Sequence, residues 1–393
     1  MKGKIDPVDL LIKALGYILT AAVAAALTLL ICTGTGVAGN SKLAQLENLI
    51  QEKFINDVDK TAVEDGAAAG MVAALNDRWS YYIPADQYEA HMEQMNNAYV
   101  GIGVTITVRE DRKGFDVLLV EPGGPAQDAG ILPGDIITAV EGQNAVDLGT
   151  DGARELIRGK EGTDVTVTIL RDGQTMDVTM TRKTIQVQVA SGEMLEDKIG
   201  LVTIANFDSR CADETVATIE TLLEQGATAL IFDVRNNPGG YKHELVELLD
   251  YLLPAGPLFR SLSYDGREEV DSSSESCIEL PMAVLINGSS YSAAEFFAAA
   301  LEEYDWAVTV GDPTVGKGYF QNTFRFTDGS AVGLSIGKYF TPKGVSLADA
   351  GGLIPNIQVE VDEETAAKIY GKLLDPAEDP QIQAAVKALL AEK

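Results

Sequence analysis

The chain is short of three things that would otherwise narrow its chemistry at once. It has three cysteines, and Cys32 lies in an apolar run, which leaves Cys211 and Cys277 for the remainder. Two thiols in unrelated segments build no disulfide framework and are expected to stay unpaired, and no Cys/His spacing suggests a metal site. It has only two histidines, His91 in a helical pattern and His243 on what reads as a helix surface. Positive charge is scarce as well. Thirty Lys and Arg face 59 Asp and Glu, for a net charge of -29, so nucleic acid and other polyanions are repelled at long range and are excluded as partners. Internal repeats and low-complexity tracts are also missing.

Charge disappears altogether from Ala14 to Ser41, and Leu15 to Cys32 is dense in Leu, Ile, Val and Ala. That length suits one transmembrane helix. Lys2, Lys4 and Lys13 precede it, so the positive-inside bias holds the N-terminus in the cytoplasm and sends everything after Asn40 outside, as a single-pass signal anchor in a bacterial cell membrane. Gly36-Val37-Ala38 resembles a small-residue cleavage site and leaves removal as a signal peptide open. The bulky Ile31 before Cys32 argues against a lipoprotein.

A chain of 393 residues can bury more than one core. Apolar spacing predicts helices over Leu43 to Phe54, Ala62 to Leu75 and Ala85 to Met95. From Val100 to about Thr184 the texture changes to short strands with turn signals. Gly101-Ile102-Gly103-Val104 opens a strand, Asp111 to Gly114 turns a hairpin into Phe115 to Val120, and Leu132-Pro133-Gly134-Asp135 leads into a strand at Ile136 to Val140. A helix over Asp151 to Ile157 and a hairpin at Asp172-Gly173 follow. This order resembles a PDZ domain. There, a glycine-rich loop offers backbone N–H groups to a peptide's terminal carboxylate while the peptide adds to a sheet edge.

From Ile199 onward strands alternate with helices, which implies an α/β core with a buried sheet. Expected strands are Leu201 to Ile204, Ala227 to Val234, Met282 to Ile286 and Ala307 to Val310; expected helices are Glu214 to Leu223, Lys242 to Leu253 and Tyr291 to Glu303. Glu363 to Leu390 reads as helical with breaks at Pro376 and Pro380.

Three strands of that core stop in small, polar or glycine residues: Asp233 to Gly240, Asn287 to Glu295, and Gly311 to Gln321. Active sites gather at such strand ends. The three segments resemble the signature blocks of the carboxyl-terminal processing peptidases, also called tail-specific serine proteases. Three further segments are similar to that family's as well: Asp77 to Tyr82, Tyr339-Phe340-Thr341-Pro342-Lys343-Gly344 and Gly352-Leu353-Ile354-Pro355-Asn356.

The resemblance implies a nucleophile at Ser292, a general base at Lys317 and an orienting partner at Gln321. It implies an oxyanion hole from the Gly239-Gly240 turn, with the two glycines unresolved, and from the N–H of Ala293. Ser290 stays a capping residue and a minor rival nucleophile. Gly101, Ile102, Gly103 and Val104 become the carboxylate-binding loop. A lysine base agrees with the scarcity of histidine, and it works only when neutral, which an apolar, water-poor site favours. Asp233 and Arg235 read as a structural pair shaping the oxyanion turn.

The implied architecture is a crotonase-like α/β protease core with an inserted PDZ domain, helical N- and C-terminal arms and one transmembrane helix. Its boundaries are a cytoplasmic stub and anchor over 1–39, a helical arm over 40–97, the PDZ domain over 98–185, the peptidase core over 186–361 and a C-terminal helical segment over 362–393. The implied activity is endopeptidase cleavage, through an acyl-enzyme, of proteins with apolar C-terminal tails. No cofactor is required, the PDZ domain gates the site, and self-association as a homodimer follows from the family. An adaptor that binds tails without cutting them is the alternative.

Overall fold

The computed structural model describes residues 41–109 and 113–391, together with Tyr17, Ile18, Thr20 and Val23. It divides into two units, Met1–Tyr82 and Ile83–Lys393.

In the first unit, Lys42–Lys53 and Lys60–Ala73 are helices, and each starts where a side chain takes an orphan N–H of the first turn. Ser41 Oγ accepts from Ala44 N and Asp59 Oδ1 from Ala62 N, both at 3.1 Å. Asp77 brackets the turn that follows by accepting from Trp79 N and Ser80 Oγ. Among the described residues no helix is long and apolar enough to cross a membrane. The longest have 14 residues, about 21 Å at 1.5 Å per residue, against about 30 Å of hydrocarbon. The expected span from Leu15 to Cys32 lies almost wholly outside the described residues. The architecture of the described residues therefore carries no transmembrane helix.

The second unit carries two assemblies. The first is a sheet of Val104–Val108, Phe115–Val120, Ile136–Val140, Asp164–Arg171 and Gln174–Thr181. It closes over Phe115, Val117, Ile137, Val167 and Ile169, all buried. The hairpin at Asp172-Gly173 is as expected, with positive φ at both residues, the twist that two-residue hairpins need. Half of the turn expected over Asp111 to Gly114, Asp111 and Arg112, falls outside the described residues. The Leu-Pro-Gly-Asp turn is locked by Asp135, whose carboxylate accepts from Leu132 N at 2.9 Å and from Arg171 Nε at 2.6 Å. The arginine's hydrogen bond holds the Asp135 carboxyl below its usual range despite burial.

Two expectations change here. Gly101 to Val104 is not one strand: Ala98–Gly101 pairs with Lys183–Gln186, Val104–Val108 pairs with Phe115–Val120, and Gly103 at φ +76° breaks the run between them. A helical turn also precedes the expected helix: Ala145–Ile157 is two helical pieces divided at Gly149 (φ +67°, ψ 177°), and the second holds Asp151 to Ile157.

The second assembly is a six-stranded sheet in the order Ala190–Met194, Ile199–Ile204, Ala229–Asp233, Met282–Ile286, Ala307–Gly311, Ile357–Gln358. The first pairing is antiparallel and the rest parallel. Alternate residues serve opposite faces. Leu230, Phe232, Val284 and Ile286 pack with the helices Cys211–Glu224, Lys242–Leu252 and Ala293–Glu303. Ile231, Ala283 and Leu285 pack instead with Ile382, Ala385 and Leu389 of the C-terminal helix Pro380–Ala391. Sequence periodicity did not disclose the antiparallel sheet built from Pro257–Ser263, Glu268–Ser272, Tyr319–Arg325 and Ala331–Phe340. The two cysteines among the described residues are free, Cys211 buried and Cys277 partly so.

Candidate active site

Three parallel strands end side by side, and their loops form the site. Each loop is held by side chains that are themselves buried.

The loop after Ala229–Asp233 turns through Asn236 at φ +59° and Gly239 at φ +88°. Asn237, fully buried, spans it by donating from Nδ2 to Ile204 O at 2.9 Å and accepting Gly239 N at Oδ1 at 2.8 Å. Gly239 must be glycine, because a Cβ there would lie 2.6 Å from Ser292 Cβ and 2.8 Å from Tyr291 O. Gly240 presses on Phe207, where a Cβ would stand 2.1 Å from the backbone carbon. The two glycines are separated by their donors. Gly239 N–H is committed to Asn237, whereas Gly240 N–H takes no acceptor among the described residues.

The loop after Met282–Ile286 holds its two serines differently. Ser290 is fully buried, donates its hydroxyl to Val234 O at 2.7 Å and accepts from Asn287 N at 3.0 Å. A hydroxyl so engaged holds the loop together. Ser292 stands at the start of the helix Ala293–Glu303 with φ 58° and ψ −126°, outside the regions a non-glycine residue prefers. This sharp strand-to-helix turn puts Ser292 at the helix N-terminus and leaves Ala293 N–H, the first of the helix, without an intrahelical acceptor. Asn287 and Asn236 exchange hydrogen bonds of 3.0 Å, which ties this loop to the previous one.

The loop after Ala307–Gly311 brings Lys317 to the same place. Gly316 has φ +79°, and a Cβ on it would meet Gly352 N at 2.8 Å. Thr314 N donates to Leu353 O and Leu353 N to Thr314 Oγ1, so the Gly352-Leu353 segment is the brace of this loop. The Lys317 ammonium lies 5.9 Å from the centroid of the Tyr291 ring.

Glu295 joins the second loop to the third, and it is fully buried. Its Oε2 accepts from Ser292 N and from Lys317 N, both at 2.9 Å. Its Oε1 accepts from Gly316 N at 2.6 Å and from Thr314 Oγ1 at 2.5 Å. Burial pushes its carboxyl above the usual range while these four donors pull it back. In the sequence Glu295 stands only as the end of the motif from Asn287. Its signal was there in Ser292-Ala293-Ala294-Glu295, the S-x-x-E pattern of a helix capping box.

Gln321 follows on the strand Tyr319–Arg325, next to a bulge between Phe320 and itself. Its amide donates to Ser335 Oγ at 2.9 Å and to Tyr319 O at 3.2 Å, and its carbonyl oxygen accepts no hydrogen bond among the described residues. Asp233 and Arg235 form the expected pair, with Nε to Oδ1 at 2.9 Å and Nη2 to Oδ2 at 2.6 Å. His243 is exposed on its helix.

In the other assembly, Ile102, Gly103 and Val104 border a groove of 260 Å³ between Val104–Val108 and the helix Ala145–Ile157, whereas Gly101 ends the strand Ala98–Gly101 and does not line it. Ile102, Val104, Ile106 and Ile157 make its apolar lining, and Thr150 and Arg154 add polar edges. Ile102 O and Gly103 O accept from Ala126 N and Glu121 N, while the N–H groups of Ile102 and Gly103 take no acceptor among the described residues.

Comparison with known proteins locates the same parts. Residues 198–359 match the model of peptidase family S41, residues 117–171 that of a PDZ domain, and residues 32–87 that of the activating protease CtpB N-terminal domain. The carboxy-terminal processing protease CtpA of Bacillus subtilis is 32% identical over 361 residues, covering 88% of this chain and 76% of that one. A probable CtpA-like serine protease of Staphylococcus aureus is 29% identical over 332 residues, covering 83% of this chain and 66% of that one. A solved putative S41 protease from Bacteroides fragilis superposes with a TM-score of 0.53 at 15% identity, over 89% of this chain and 97% of that one.

Proposed function

Because the chain belongs to peptidase family S41, as a serine protease of the carboxy-terminal processing kind that carries a PDZ domain, we propose that it cuts protein chains with a Ser/Lys pair. The observation that carries this reading is the Glu295 carboxylate, which binds the backbone of Ser292 and of Lys317 through one oxygen. That contact gives the two residues a fixed relation across loops 25 positions apart in sequence.

Lys317, as the neutral amine, takes the proton of the Ser292 hydroxyl as Oγ bonds to the scissile carbonyl carbon. The N–H groups of Gly240 and Ala293 receive the oxyanion. When the carbon–nitrogen bond breaks, the Lys317 ammonium returns the proton to the departing amine, and an acyl-enzyme remains on Ser292. Water, deprotonated by Lys317, then releases the acid. The carbonyl oxygen of Gln321 holds the ammonium between these steps.

Substrates are proteins with apolar C-terminal residues. The tail lies along Val104–Val108 as an added strand, its last side chain enters the apolar groove, and the N–H groups of Ile102 and Gly103 take its carboxylate. Occupation of the groove gates the peptidase, and the terminal helices mediate self-association. The apolar side chains of Leu43, Leu46 and Leu49, exposed on one helix, support the latter; sedimentation showing monomers alone would remove it. The reading is tested by incubating the protein with an unfolded substrate bearing an apolar tail and following cleavage by mass spectrometry. Cleavage by wild type that is lost in both Ser292→Ala and Lys317→Ala is the expected result. Undiminished cleavage in either variant overturns the assignment of that residue.

A further inference from the structure

The oxyanion turn is gripped from behind by the far end of the chain. Arg235, only 4% exposed at its side chain, commits Nε and Nη2 to Asp233. Its Nη1 reaches the C-terminal segment, donating to Asp379 Oδ2 at 2.8 Å and to Gln381 Oε1 at 2.9 Å. Burial opposes charge on the guanidinium, but Asp233 and Asp379 hold it above its ordinary value.

Gln381 does not stop at Arg235. Its Nε2 donates to Asp312 Oδ2 at 3.1 Å and to Val359 O at 2.8 Å. Arg235 follows the strand Ala229–Asp233 and opens the turn to Gly240; Asp312 follows Ala307–Gly311 and opens the loop to Lys317. Between them lies Met282–Ile286, whose loop carries Ser292. Neighbouring strands are about 4.8 Å apart. With the arginine it holds, one glutamine therefore reaches across the width of three strands whose loops make the site.

The helix does not need this polar set to dock. Ile382, Ala385 and Leu389 already fill the sheet face, and a leucine at 381 would avoid burying an amide that is only 1% exposed. Asp379 divides its duties in the same sense: Oδ1 caps the helix through Gln381 N and Ile382 N, and Oδ2 holds Arg235.

We infer that Gln381, supported by Asp379, is a positioning residue of the peptidase site, fixing the spacing between the oxyanion turn and the Lys317 loop from the C-terminal helix. The inference rests on the Ser/Lys reading above. Neither residue touches the reacting atoms.

The test measures kcat, KM and Tm of the full chain on one tailed substrate for wild type, Ser292→Ala, Gln381→Leu and Ile382→Ala. Gln381→Leu is expected to lower kcat by about 10- to 100-fold, the cost of misplacing catalytic groups by a fraction of an ångström to an ångström, with KM almost unchanged. Ile382→Ala loosens the helix without breaking the bridge, and is expected to lower Tm further while keeping kcat where the protein is folded. Wild-type kcat in Gln381→Leu overturns the inference. So does a loss of activity that merely tracks the loss of folded protein, as in Ile382→Ala. If Gln381→Leu does not fold, Asp379→Asn keeps the capping oxygen and must still lower kcat; an unchanged value overturns the inference. Undiminished cleavage by Ser292→Ala would instead show that the Ser/Lys reading had failed.

Discussion

The peptidase loops and the PDZ groove treat backbone polarity in opposite ways. Around Ser292 the buried side chains Asn237, Ser290 and Glu295 hold the loops by hydrogen bonds, and no buried side-chain nitrogen or oxygen among the described residues lacks a partner. Two N–H groups, those of Gly240 and Ala293, take no acceptor among the described residues and are the ones proposed for the oxyanion. In the groove, a strand edge and the loop from Ile102 to Gly103 stay incomplete, as a surface does that is to be finished by a guest chain. Both regions use left-handed backbone, but Gly103 adopts it without cost, whereas Ser292 does so against its Cβ. A strained serine persists only where its surroundings over-determine it. The core spends polar groups on rigidity and the PDZ domain leaves them open for recognition.

If that contrast holds, changes in the core should strike turnover and changes in the groove should strike affinity. The largest effect is expected from Ser292→Ala, with cleavage falling by about a thousandfold or more while the far-UV spectrum is unchanged; residual turnover near wild type would end the comparison. Glu295→Ala leaves the N–H groups of Ser292, Gly316 and Lys317 without their acceptor in a buried site. We expect about 3 kcal/mol of lost stability in urea denaturation and a steep drop in kcat.

Asp208 offers a pH test of the same rigidity. It follows Phe207, which clasps Gly240, and burial, reinforced by Glu244, pushes its carboxyl up to about 7. The folded form therefore binds a proton more tightly than the unfolded chain does. The cost of ionising Asp208 in place grows as pH rises from about 4 to 7 and is absent below that window. Asp208→Asn should raise Tm more at pH 8 than at pH 5, by on the order of 2 kcal/mol in stability; an equal gain at both values would refute the linkage. The smallest effect belongs to the groove. Gly103→Val forces a side chain onto a residue at φ +76° with Glu121 Cβ 3.1 Å away, and should raise KM for a tailed protein by about tenfold without changing kcat on a short peptide that lacks the tail. A kcat effect of the same size would erase the distinction between the two regions.

Much of the core was legible because its strands are buried on both faces and read as unbroken apolar runs: Met282 to Ile286 falls where it was expected. The sheet from Pro257 to Phe340 was not legible, since half-exposed strands such as Tyr319–Arg325 and Glu268–Ser272 mix charge and aromatics without clean alternation. The expected transmembrane helix rested on the length of the apolar run from Leu15 to Cys32 and on the lysines before it, and that run lies almost wholly outside the described residues.

Residue identity by itself determined the order of the three loops and the small residues their turns require, because each follows from local chemistry and spacing, while lysine became the base candidate through the resemblance to the carboxyl-terminal processing peptidases. Tertiary structure alone decided that Gly240 rather than Gly239 keeps its N–H open, that Ser290 is a brace, and that Glu295 and Gln381 span loops far apart in the chain. Those are matters of which group meets which acceptor across tens or hundreds of residues, and only the folded chain brings them within hydrogen-bond reach.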